Sequence, residues 1–201
     1  MDAVRVSALR QRLAGTGWLE AAGGFAATLR RSVERRGAGE LLLVGTEVYE
    51  PWHLAAHLAD EAAWSAVPRL APTLLRHRPP AAAPAHLAHG LPRLGEARRG
   101  ATVLVVAPGA AGAPLLERVQ DARRHGATVL ALDGAAPGAP GELGGIAHER
   151  LAVGTADEEP FDLAQHLVSA AAGQPAGRRS VLDRLAELAG RLTSAPALSR
   201  W

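Results

Sequence analysis

Apolar residues in the first third of the chain follow the spacing of an α-helix and then that of a buried strand. The helical spacing is carried by Trp18, Ala22, Phe25, Leu29 and Val33. It predicts an amphipathic helix that has Thr16 as its N-cap and is closed by Gly37. A continuous apolar run at residues 41–44 ends at Gly45 and is typical of a strand buried on both faces. Residues 51–64 predict a second helix with proline in its first turn.

The clearest supersecondary unit lies in the middle of the chain. Residues 102–106 predict a strand, 108–113 a glycine-rich turn, 114–124 a helix closed by Gly126, and 128–132 another strand. A strand, a helix and a second strand within about thirty residues predict a right-handed crossover between parallel strands.

The remaining segments are weaker but keep the same alternation. They predict an extended stretch at 66–75, a proline-rich surface loop at 78–84, a glycine- and proline-rich loop at 135–145, an edge strand at 148–153 and a helix at 161–172. We therefore predict an α/β fold with a doubly wound, mostly parallel, flavodoxin-like sheet in a three-layer α/β/α arrangement.

The chain divides into one main domain and a C-terminal appendage. Residues 1–174 contain the predicted sheet and its helices, including the N-terminal helix. Residues 175–201 follow a linker and predict a leucine-striped helix at 181–192 with a loose tail. A length of 201 residues with 48% apolar content accords with one substantial core.

Composition narrows the classes of function. All 22 basic residues are arginine, which is typical of a GC-rich and, we infer, bacterial genome, and the formal net charge is only +2. Most of the arginine pairs fall at predicted helix ends, where the helix dipole favours them, so we expect no nucleic-acid binding.

Two absences in the sequence set the expected compartment. There is no cysteine, which excludes disulfides, zinc ribbons and thiol nucleophiles and suits a reducing cytoplasm. No signal-peptide pattern begins the chain and no apolar run approaches the length of a membrane span, so we expect a cytoplasmic protein without membrane contact.

The order of elements over residues 18–172 resembles the sugar isomerase (SIS) family, with the best local similarity at residues 41–46 and 103–134. The resemblance implies a domain that binds a carbohydrate derivative, such as a phosphosugar, either as an aldose–ketose isomerase or as a sensor. The predicted helices have more apolar surface than one small sheet can cover, and SIS-like proteins generally pair their subunits. We therefore predict a homodimer, to which the aromatic residues of the first two helices contribute.

Ligands of parallel sheets bind at the carboxyl ends of the strands, which points to two loops. The candidate ligand-binding residues are Gly45, Thr46, Glu47, Tyr49, Gly109, Ala110, Ala111, Gly112 and Ala113. The second loop lacks the hydroxyl residues with which SIS proteins hold phosphate, and Glu47 and Glu50 would repel it. Backbone N–H groups with Ala113 as N-cap and Pro114 at the first helical position could still bind an anion. The alternative is a turn that only allows close packing.

Helix 51–64 carries the most distinctive polar side chains. The spacing of His53, His57 and Glu61, at steps of four residues, indicates a possible site for a divalent metal ion. The predicted ligand-binding function itself requires no cofactor. Glu50, His53 and His57 are the candidate acid–base groups. The alternative is a polar face on which Glu61 pairs with a histidine.

Three functions from different classes therefore remain open. The first is a SIS-like domain that binds a small carbohydrate-type ligand, and the second is a non-catalytic assembly module on the same fold. The third is the metal site on the second helix. No GxSxG elbow, Walker loop or dinucleotide fingerprint is present in the sequence.

Overall fold

The structure, a computed structural model, describes residues 17–134, 141–153 and 158–174, with the backbone alone for 158–160. Its helices and strands are α1 (Trp18–Glu34), β1 (Leu41–Val44), α2 (Trp52–Trp64), β2 (Thr73–Leu75), β3 (Thr102–Ala107), α3 (Ala113–Arg124), β4 (Thr128–Asp133), β5 (Glu149–Ala152) and α4 (Glu158–Ala172). Three short 3₁₀ helices lie between β2 and β3 or just before β2.

The five strands form one sheet in which every neighbouring pair is parallel, in the order β2-β1-β3-β4-β5. The chain leaves β1 toward one edge of the sheet and leaves β3 toward the other. The prediction of a doubly wound parallel sheet is confirmed.

Alternation along the strands explains why helices cover both faces of the sheet. Leu43, Leu104 and Leu130 lie in one buried cluster, which contains the inner faces of α1, α2 and α4. Val103 and Val129 lie in a second cluster with α3 and the 3₁₀ helix Leu91–Glu96. Each central strand is buried on both sides, so the structure has the predicted three layers.

Several element boundaries differ from the prediction at positions of special backbone geometry. The N-cap of α1 is Gly17 and not Thr16, which lies outside the described residues, and the helix ends at Glu34, before Gly37. The N-cap of α3 is Gly112, with φ +74° and ψ 139°, so that Ala113 is the first helical residue and Pro114 the second. Gly112 adopts this left-handed φ without strain because it has no Cβ.

The carboxyl-terminal part of the described chain is also more regular than predicted. Helix α4 begins at Glu158, three residues before the expected start at 161. The predicted helix at 181–192 and its tail lie outside the described residues. In the part of the chain that the structure describes, no helix has the length and apolar character needed to cross a membrane.

Truncation of a central core side chain should show how much the sheet depends on its two-sided burial. Leu104 in β3 is 0% exposed, so we expect Leu104→Ala to lower the free energy of unfolding by about 3 kcal/mol through lost burial and a residual cavity. Val48 is 95% exposed, and Val48→Ala should change it by less than about 0.5 kcal/mol. Urea denaturation of both variants measures the difference, and equal effects would contradict the described core.

Candidate functional site

A cavity of about 370 Å³ opens at the carboxyl ends of β3 and β4. Its lining comes from the loop after β3, from the end of β4 and from the segment that follows residue 140. The described lining residues are Ala107, Pro108, Gly109, Ala110, Ala111, Asp133, Gly134, Gly141, Glu142 and Leu143. This is the edge of the sheet at which parallel α/β folds bind ligands.

The loop after β3 presents backbone and not side-chain polar groups to this cavity. No side chain caps the amino terminus of α3, and the N–H groups of Leu115 and Leu116 donate to the carbonyl of Gly112. The N–H of Ala111 donates to Oε2 of Glu142 at 3.2 Å. A carboxylate of the same protein therefore lies on a backbone donor of the loop.

The end of β4 contributes a buried ion pair. Arg150 in β5 donates from Nε to Oδ2 of Asp133 at 2.6 Å and from Nη2 to Oδ1 at 2.8 Å. The hydrogen bonds to Asp133 raise the pKa of Arg150 above its ordinary value. Gly141 passes so close that a Cβ there would lie 2.9 Å from Nη2 of Arg150. The bidentate pair compensates the charge of Asp133 and supports the segment that carries Glu142.

The two predicted loops contribute unequally to the cavity. Gly109, Ala110 and Ala111 line it, whereas Gly112 and Ala113 belong to the start of α3 and are not among the described lining residues. The sequence pattern did not indicate that Asp133, Gly141 and Glu142 also line the cavity. The rule that ligands lie at strand ends could have identified Asp133, but no local pattern indicates that residues 141–143 fold back over this edge.

The loop after β1 closes on itself instead of opening into the cavity. Thr46 is buried, and its carbonyl accepts from the N–H of Tyr49 at 3.3 Å. The Tyr49 hydroxyl accepts from Nε2 of Gln165 at 2.8 Å, and the ring packs against Phe161. A Cβ on Gly45 would collide with the carbonyl oxygen of Tyr49, so only glycine fits there.

Both acidic side chains of this loop form ion pairs with arginines. Glu47 forms an exposed ion pair with Arg78. Glu50 accepts from Nε of Arg76 at 3.0 Å and from Nε1 of Trp52 at 2.8 Å. Burial raises the pKa of Glu50, but these hydrogen bonds outweigh it and hold the pKa below its ordinary value. A carboxylate that is held ionised in this way is a weak general base.

The two histidines of α2 meet a third histidine from α4. The ring centroids of His57 and His166 are 4.3 Å apart, and His53 lies 6.0 Å from each of them. Burial, followed by the charges of His57 and His53, lowers the pKa of His166 to about 4. Burial and His53 likewise lower the pKa of His57. None of the three is among the described residues that line the cavity.

The carboxylate of Glu61 lies at the end of α4. The residue is buried, and its carboxylate packs against Gly173, where a Cβ would collide with it. Among the described residues no group of three or more His, Asp or Glu side chains is arranged to hold a metal ion. Metal binding by His53, His57 and Glu61 stays a prediction, without support from this geometry.

The fold of this chain is similar to those of several proteins of known structure. A protein assigned as a phosphosugar isomerase from Silicibacter pomeroyi is similar at a TM-score of 0.54 and 16% identity, over 90% of this chain and 51% of that one. A sugar-binding protein from Salmonella typhimurium matches at 0.54 and 20%, over 88% and 53%. The sugar isomerase domain of an RpiR transcription factor from Sphaerobacter thermophilus matches at 0.52 and 15%, over 84% and 83%.

These similarities establish the fold and show how the length of this chain compares with those of the similar proteins. The fold is that of SIS domains, as predicted, and the chain spans about half the length of the first two structures. No family model matches the sequence, and no curated protein matches it.

Acidification should weaken the contact between α2 and α4. Because the pKa of His166 is about 4 in the folded protein against 6.5 ordinarily, the unfolded chain binds more protons between these values. We therefore expect the free energy of unfolding to fall as pH drops from about 6.5 toward about 4, with a loss of a few degrees in Tm.

Two histidine variants separate this effect from general acid denaturation. His166→Gln should flatten the loss of Tm between pH 6.5 and pH 4.5, whereas His125→Gln, at the exposed end of α3, should leave it unchanged. Thermal melts at closely spaced pH values measure it. The same slope in His166→Gln as in the unmodified protein would refute the assignment to His166.

Proposed function

We propose that this protein is a SIS-fold domain that binds a carbohydrate derivative in the cavity at the carboxyl ends of β3 and β4. The observation that carries the proposal is the place of this cavity on the sheet, where ligands of doubly wound folds bind. The names of the similar structures, which include a phosphosugar isomerase and a sugar-binding protein, support the choice of ligand class.

The size and lining of the cavity suit a small polar molecule. Its volume of about 370 Å³ lies in the range of small-molecule sites. The carboxylate of Glu142 and the exposed backbone of Gly109 and Ala110 offer hydrogen-bond partners to sugar hydroxyls. Pro108 and Ala110, which are not buried, supply apolar contacts for the carbon face of a sugar ring.

The described residues favour binding over aldose–ketose isomerisation. An isomerase needs a base of suitable pKa that reaches the carbon-bound proton. Glu50 is held by Arg76 and Trp52, and Asp133 is held by Arg150. His53 and His57 pack with His166 away from the described cavity lining. Glu142 is the remaining carboxylate of the described lining, and its Oε2 already accepts from the N–H of Ala111. On this ground we favour a sensor or binding domain over an isomerase.

Ligand binding is tested by thermal shift with sugars, amino sugars, sugar phosphates and nucleotide sugars. We expect at least one carbohydrate class to raise Tm, because a ligand that binds only the folded state stabilises it. Ala110→Phe would place a ring in the cavity and should abolish the shift, whereas Ala113→Phe, outside the described lining, should retain it.

Two results would count against the proposal. A flat response to every carbohydrate would remove the ligand class, and equal shifts in the two phenylalanine variants would remove the cavity as its location. Turnover of an aldose phosphate into its ketose would contradict binding without isomerisation.

A second candidate function is assembly through the outer face of α2, as a homodimer. Trp52 is 40% and Trp64 is 64% exposed, although both are large apolar side chains. Ala56, Ala59 and Ala63 are also exposed on this helix. An exposed apolar stripe of this kind is typical of a surface that another subunit covers, and large aromatic side chains dominate the energetics of such contacts.

The dimer is tested by light scattering at micromolar concentrations. We expect a mass near twice the 20.8 kDa of the chain, reduced to that of the monomer in an Ala59→Arg, Trp64→Glu double variant. Arg118→Glu, on the exposed surface of α3 in the opposite layer, should remain dimeric. A monomeric unmodified protein at all concentrations would exclude this assembly.

A further inference from the structure

The charges of the cavity are unequally compensated. Among the described lining residues the ionisable ones are Asp133 and Glu142. Both carboxylate oxygens of Asp133 accept hydrogen bonds from Arg150. Glu142 accepts from the N–H of Ala111, and no ion pair joins it to a cation in the part of the chain that the structure describes. Its carboxylate is the uncompensated charge of the described lining.

The chain around Glu142 supplies no further ionisable group to offset this charge. Residues 135–140 read Ala-Ala-Pro-Gly-Ala-Pro, and Leu143, Gly144 and Gly145 follow it. Arg123 donates to the carbonyl of Gly145 at 2.7 Å and forms no described ion pair with Glu142. Arg150 also lies against this segment, at Gly141, but its guanidinium is paired with both carboxylate oxygens of Asp133. The described lining therefore has one carboxylate, that of Glu142, in excess of its ion pair.

The position of the Glu142 carboxylate determines which ligand groups it attracts and which it repels. Glu142 lies on the N–H of Ala111, which is one of the backbone donors that an anionic group of a ligand could use at this loop. A phosphate beside it would be repelled, whereas hydroxyl and ammonium groups would donate to it. The side chain of Glu142 thus favours one class of carbohydrate over another.

We infer that Glu142 is a specificity-determining residue that makes the cavity select uncharged or amino-bearing carbohydrates over their phosphate esters. The inference rests on the proposed function, since it names the charge of the ligand bound at the same site. It departs from the phosphorylated ligand class that the resemblance to SIS proteins implies. The selection depends on the side chain of Glu142, which lies in the segment between β4 and β5 and contacts the loop after β3.

Calorimetric titration with matched pairs of ligands tests this selection. The pairs are glucosamine and glucosamine 6-phosphate, fructose and fructose 6-phosphate, and ribose and ribose 5-phosphate, all at one pH and at low salt. For the pair that binds, the unmodified protein should hold the unphosphorylated member at least about tenfold more tightly. Glu142→Gln keeps the shape and the acceptor for Ala111, and it should reduce this ratio by about tenfold.

A matched control and two distinct failures complete the design. Glu117→Gln removes the same charge from the exposed surface of α3, outside the described lining, and should leave the ratio unchanged. Equal or tighter binding of the phosphate ester by the unmodified protein, or an unchanged ratio in Glu142→Gln, would overturn the inference while the proposed function stands. No binding of any member by either protein would overturn both.

Discussion

Burial of the central strands on both faces is the constraint on which the rest of this structure depends. Strands β1, β3 and β4 are almost entirely apolar, and no face of them is left for water. Helices must therefore cover both sides, which leaves only the ends of the strands open to a ligand. At this end of the sheet the loop after β3 exposes Gly109 and Ala110.

Charge at this edge is arranged through pairs of residues that are distant in sequence. Asp133 is a buried carboxylate at the end of β4, and Arg150 from the neighbouring strand compensates its charge in bidentate geometry. The same arrangement brings Gly141 and Glu142 back over the cavity. Removal of one member of such a buried pair costs more than the pair itself contributes, which makes this edge sensitive to substitution.

The polar residues of α2 serve packing and not the cavity. Glu50 is held at the start of the helix by Trp52 and Arg76, whose guanidinium also lies 5.1 Å from the centre of the Trp52 ring. His57 packs on His166, and Glu61 turns toward Gly173 at the end of α4. The helical spacing of His53, His57 and Glu61 places them on one flank, and in the structure His57 packs against His166 while the Glu61 carboxylate contacts Gly173.

The sequence by itself determined the main elements and the parallel sheet, and it predicted that a ligand binds at the carboxyl ends of the strands. These depend on local periodicity, on glycine where a turn leaves no space, as at Gly45, and on the handedness of crossovers. It also determined that the loop after β3 lacks hydroxyl groups. Only the tertiary structure decided which side chains meet there, because Asp133 and Arg150, Ala111 and Glu142, and His57 and His166 belong to different elements. Such contacts depend on how elements pack, and a local pattern of polar residues carries no information about a partner that packing alone brings near.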